Sequence, residues 1–172
     1  MLNYKKYIQK QKDIRICEKD IYFFRPCIDG FKFLIDEYRF EKAGITIGRE
    51  RKVKFKRNNL ILIIIYEMGS LPCLDLEQTN TKNKKISTTL KKIVEKFNSV
   101  ESFGDYPLHL KFQKVRNSNK SVEGYMKTLS KLWDENKEII LNEVRERVKE
   151  ISKEVKNNMN TILPLIEGEL KK

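Results

Sequence analysis

Apolar and polar positions along the chain change period several times, and each change marks a predicted element. Tyr4 to Lys12 has the spacing of a short helix, followed by an extended piece with Ile14 and Ile16 on one face. Asp20 to Phe24 reads as a second extended piece stopped by Pro26, which cannot donate to a backbone ladder. Phe31, Leu34, Ile35 and Tyr38 then fall at i, i+3, i+4 and i+7. That is one face of a helix over 29–41, with Asp29 as N-cap and Ala43-Gly44 as its end.

Strand period follows. Ile45 to Arg57 alternates as one long strand, Asn58-Asn59 suits a tight turn, and Leu60 to Tyr66 is an almost wholly apolar strand suited to the middle of a sheet. Gly69-Ser70 turns the chain again, and Leu71 to Leu76, carrying Pro72, fits an edge strand. The polar stretch 79–85 reads as a loop. Ile86, Leu90, Ile93, Val94 and Phe97 place a helix over 86–98, and Leu108 to Val115 is a further strand candidate. From Ser121 a long helical pattern runs to Leu163, where Pro164 should end it.

Within that helix Leu141, Val144, Val148, Ile151 and Val155 recur at spacings of 3, 4, 3 and 4, with Asn158 and Ile162 at the next positions. Glu143 and Arg147, four residues apart, should support its exposed side. The seam can lie on the domain's own sheet or dock a second chain, giving oligomerisation through the C-terminal helix. The pattern as a whole predicts an α+β fold. A mostly antiparallel sheet from residues 14–76 is flanked by helices, giving a basic core over 1–116 and a long helical segment over 117–172.

Composition narrows the function. The chain has 172 residues, 40% hydrophobic and 35% charged, enough apolar material for a core. Its longest purely apolar run, Leu60 to Tyr66, falls far short of the ~20 residues that span a bilayer. The N-terminus lacks the apolar stretch of a secretion signal, and three cysteines, Cys17, Cys27 and Cys73, fit a reducing cytoplasm. The net charge of +12 is uneven. Residues 1–100 hold 22 basic and 12 acidic side chains, whereas 101–172 hold 14 and 12. An anion-seeking surface therefore belongs to the first half.

The densest cationic stretch is Arg49 to Arg57, where Arg49, Arg51, Lys52, Lys54, Lys56 and Arg57 make six basic residues of nine. Alternation sends Lys52, Lys54 and Lys56 to one face with Glu50, while Val53 and Phe55 take the other and can enter the core. Arg49, Arg51, Lys52, Lys54, Lys56 and Arg57, with Lys82, Lys84 and Lys85 of the 79–85 loop, are the candidate contact residues for an acidic protein, the lysine row foremost. Nucleic acid is the alternative ligand. The bland reading is a solvated strand whose lysines prevent edge-to-edge aggregation.

Enzyme chemistry has little to stand on. No C-x-x-C pair is present, so no closed zinc site of the usual spacing is expected, and no cofactor-binding glycine loop occurs. His109 is the only histidine and sits in strand-like sequence. Glu50-Arg51-Lys52 is an E-x-K triplet of the kind metal-dependent nucleases use with an upstream acid, for which Asp29 and Asp36 are available. Asp75 and Glu77 share one strand face and could hold a cation. The chain is nevertheless expected to be non-enzymatic.

FKFLIDEYRFE (31–41), VKFKRNNLILIIIYEMGS (53–70) and VEGYMKTLSKLWDENKEIIL (122–141) together resemble a diffuse group of small bacterial α+β proteins. That group opens with a Phe-x-Phe-Leu helix followed by a meander, and some members resemble immunity proteins that neutralise toxins. The resemblance implies an immunity-type inhibitor or accessory subunit of a bacterial conflict system, acting by surface occlusion. It carries no functional residue across.

Overall fold

A computed structural model of the chain describes residues 18–41, 44–47, 50–58, 60–67, 70–78, 91–97, 111, 114–115, 118 and 122–167. The fold is α+β, with a four-stranded antiparallel sheet and a long C-terminal helix. The expected elements at 4–12 and 14–16, Cys17 and His109 lie outside the described residues.

Helix α1 spans Glu18–Gly30 and carries Pro26 inside it, so neither the extended piece at Asp20 to Phe24 nor the stop at Pro26 forms. An internal proline costs a helix about 3 kcal/mol. Against this, Phe23, Phe24, Cys27, Ile28 and Phe31 all lie buried on one face, the aliphatic and aromatic ones contributing about 1.5–3 kcal/mol each. Packing outweighs local propensity here. Asp29 is consequently an exposed residue in the last turn of α1, 3.9 Å from Arg25 Nε, and not an N-cap.

Helix α2 is short, Lys32–Asp36, and its N-cap position is Phe31 with no side-chain cap. Its end comes well before Ala43-Gly44. Arg39 turns the chain at φ 56°, and Phe40 N donates to Leu34 O at 2.9 Å.

The strand expected over Ile45 to Arg57 is divided into β1, Gly44–Thr46, and β2, Arg51–Arg57, which pair antiparallel with Ile45 opposite Val53. Asn58 takes positive φ, 51°, as its turn requires. β3 is Leu60–Tyr66 and β4 is Cys73–Gln78, in spatial order β1-β2-β3-β4. Among the described strands β3 is therefore interior and β4 lies at an edge, with Pro72 just outside it.

One sheet face forms the core. Val53, Phe55, Leu60, Leu62, Ile64, Tyr66 and Leu74 belong to a single buried cluster with the apolar face of α1. Phe23 stacks on Tyr66 at 5.2 Å between ring centroids, and Phe31 on Phe55 at 5.5 Å. The helix over 91–97, α3, adds Ile93 and Phe97. The strand expected over Leu108 to Val115 is not seen: residues 111, 114 and 115 are helical, with Val115 buried.

The long C-terminal pattern is two helices, α4 (Val122–Glu135) and α5 (Lys137–Glu167). Asn136 divides them. Its Nδ2 donates to Leu132 O at 2.8 Å while its backbone N is shared between Leu132 O and Trp133 O, so the side chain competes with the helical ladder. The assigned helix continues past Pro164 to Glu167. Val144, Val148, Ile151 and Val155 are buried in the chain's own core, so this seam docks on its own domain. Ile140 and Met159 complete it, whereas Leu141 is only half-buried and Asn158 turns its amide to Glu154 O. Ser152 Oγ donates to Gly30 O at 2.5 Å, fastening α5 to α1. Arg147 is not on the exposed side as its spacing with Glu143 suggested. Its side chain is 10% exposed and donates to Pro72 O and Phe97 O.

Among the described residues no helix is long and apolar enough to cross a membrane.

Candidate functional site

The described helices pack on the inner sheet face, so candidate contact residues are sought on the outer one. Alternation and register place three parallel rows there. β2 contributes Lys52, Lys54 and Lys56; β3 contributes Ile65, Ile63 and Ile61 opposite them; β4 contributes Cys73, Asp75 and Glu77. Strands lie about 4.8 Å apart, so the lysine and acidic rows are separated by roughly 10 Å with isoleucines between. Ile61 and Ile65 are half-buried, but Ile63 is only 1% exposed although it belongs outside the core cluster.

The sequence reading of β2 holds in its geometry. Val53 and Phe55 are fully buried, Lys56 is exposed, and Lys52 and Lys54 are half-buried, as lysine stems are when they lie over apolar neighbours. Arg51 and Arg57 fall on the inner parity at the strand ends. Arg57 Nη1 donates to Tyr38 O at 2.6 Å, which gives it a role in holding the segment after α2 against the sheet. Arg49, Lys82, Lys84 and Lys85 lie outside the described residues.

The face is less cationic than the lysine count suggested. Lys52 Nζ lies 2.8 Å from Glu50 Oε2, and that hydrogen bond, then the fields of Glu50, Asp75 and Glu77, raises its pKa against a smaller desolvation penalty. Three lysines thus share a face with three carboxylates. Among the described residues Lys54 and Lys56 form no ion pair. Cys73 is pushed up to about 11, chiefly by burial and then by Asp75 and Glu50, so at neutral pH it is a thiol and not a nucleophile. Burial also pushes the Cys27 thiol up.

The E-x-K triplet has a plain structural use: its glutamate neutralises its lysine. Asp29 and Asp36 sit on α1 and α2, each engaged by a basic residue four positions away, Arg25 and Lys32 respectively. Asp75 Oδ1 accepts from Leu76 N at 2.8 Å. Among the described residues no three His, Cys, Asp or Glu side chains converge as a metal site would need.

Sequence reasoning found the lysines and the common face of Asp75 and Glu77, but not that the two rows bracket an isoleucine row. The signal was present in LILIIIY, whose odd-numbered positions face outward once register is known. Comparison of the chain with family models, with curated proteins and with solved structures returns no match.

Proposed function

We propose that the chain is a non-enzymatic protein-binding protein that acts by covering a surface of its partner with the outer face of its sheet. The observation that supports this is the row order across β2, β3 and β4: lysine, isoleucine, then acid. Ile61 and Ile65 are half-buried and Ile63 between them is buried, so the apolar part that a partner can reach is Ile61 and Ile65 between charged margins, a make-up that suits a protein interface. A phosphate backbone would meet the Lys54 and Lys56 amines favourably but would be repelled by Glu50, Asp75 and Glu77, so nucleic acid is the weaker fit. The partner's matching surface carries carboxylates opposite Lys54 and Lys56. A cytoplasmic location suits the raised thiols of Cys27 and Cys73. The resemblance of 31–41, 53–70 and 122–141 to a group of small bacterial α+β proteins, some of them immunity-like, makes an inhibitor or accessory subunit of a bacterial conflict system the role we favour.

The experiment is recovery of the tagged full-length chain from its native cells, alongside the K54E/K56E variant. A specific protein should accompany the wild type and persist through about 200 mM salt, because its apolar centre is not screened. It should be lost from the variant. Recovery of nucleic acid that dissociates steeply between about 50 and 200 mM salt overturns the reading, as does equal recovery by the variant.

A further inference from the structure

A second feature lies on the helical side of the molecule, away from the outer sheet face. α1 and α5 run side by side in the same direction. Lys137 Nζ stands 5.2 Å over the Tyr22 ring near their starts, and Ser152 meets Gly30 where α1 ends. Between them is a groove of about 540 Å3. Its α1 wall is Ile21, Tyr22, Arg25, Pro26, Asp29 and Gly30; its α5 wall is Leu141, Arg145 and Lys149. Each wall covers three successive turns at i, i+4 spacing, a trough about 12 Å long at 1.5 Å per residue.

Three properties of the trough point to one occupant. Its floor is apolar, and Ile21, at 41% exposure, is one of two large hydrophobic side chains left exposed among the described residues. Three cations line it against one carboxylate, Asp29, which is itself drawn to Arg25. Arg145 is exposed and has no acidic partner among the described residues, whereas Lys149 is held by Glu146 at 2.6 Å. An elongated apolar trough with a cationic rim matches the non-polar stripe and acidic flank of a helix. We propose that this groove docks an acidic amphipathic helix of a partner protein. Apolar residues at i, i+3 or i+4, and i+7 would lie against Ile21, Tyr22, Pro26 and Leu141, with carboxylates meeting Arg145 and Lys149. The assignment is independent of the sheet-face reading, since the two surfaces share no residue.

A phage-displayed library of random peptides of roughly 16 residues, about 24 Å as a helix, selected against the full-length chain, tests it. Enriched peptides should be acidic with apolar residues at helical spacing. Synthesised and labelled, they should bind R145E/K149E at least about tenfold more weakly by fluorescence anisotropy, and K54E/K56E as tightly as the wild type. Ile21→Asp provides a second variant at an exposed position, and circular dichroism melting checks that each variant folds. Failure to enrich any peptide, enrichment of peptides without acidic residues, or equal affinity for R145E/K149E overturns the proposal. So does displacement of the peptides by dodecanoate with R145E/K149E unaffected. A wild-type dimer in sedimentation that Ile21→Asp converts to monomer overturns it too, by assigning the groove to a second copy.

Discussion

Arg147 shows how much one side chain can hold together. Its guanidinium reaches Phe97 O at 2.9 Å and Pro72 O at 3.3 Å, lies 5.0 Å from the Phe97 ring, and meets Glu150 at its outer edge. One residue thus ties α5 to the end of α3 and to the approach to β4. Arg147→Ala strands two carbonyls and should cost about 2–3 kcal/mol in urea unfolding. Arg147→Lys should recover little of it, because an ammonium lacks the fork. Asn58 makes a conformational prediction: at φ 51°, Asn58→Gly should be nearly neutral, whereas Asn58→Val should destabilise by about 1–2 kcal/mol. Glu154 makes a pH-dependent one. The Lys96 hydrogen bond, helped by Asn158, holds its carboxyl below the usual carboxylate range. Its ionised form is therefore favoured by folding. The contribution is present above the ordinary value of 4.5 and fades as pH falls through the lowered one. Lys96→Met should lower the urea midpoint slightly at pH 7 and converge with wild type as pH falls below the lowered value, the pair being worth under about 1 kcal/mol.

At the scale of elements, the decisive contact is α5 on α1. Val144, Val148, Ile151, Val155 and Met159 are all buried in the intramolecular core, and Val148 Cγ1 lies 3.5 Å from where a Cβ on Gly30 would stand. Val148→Asp should accordingly unfold or severely destabilise the chain, by more than about 4 kcal/mol, by burying an unpaired charge. A variant with wild-type melting and altered oligomeric state would contradict this packing. α1 also explains why a proline survives mid-helix. The element is held by its buried face, and the local penalty at Pro26 is met by tertiary contacts.

At the scale of the whole molecule the net charge is +12, and among the described residues the charges do not concentrate into one uniform field. The outer sheet face balances Lys52, Lys54 and Lys56 with Glu50, Asp75 and Glu77, and the helical side carries Arg25, Arg145 and Lys149 around an apolar trough. Exposed ion pairs such as Lys156 with Glu37 and Lys91 with Glu95 add little stability individually. K54E/K56E should therefore shift the melting midpoint by only a few degrees while removing partner binding, a separation that calorimetry and pull-down measure together.

Local period was enough to read the apolar strand Leu60–Tyr66, the turn at Asn58, the outward lysine alternation and the buried stripe of α5, because each depends on neighbours within a few residues. The α+β class followed from those periods. What they could not specify were outcomes of competition between distant segments. The core made α1 helical across Pro26, pairing folded Ile45 to Arg57 into two strands, and carbonyls 50 and 75 residues away drew Arg147 inward. Register alone brought an acidic row within two strands of the lysines, and packing alone opened a basic trough between helices more than a hundred residues apart in sequence. Burial and long-range pairing release more free energy than the local preferences they override, so those features exist only in the folded chain.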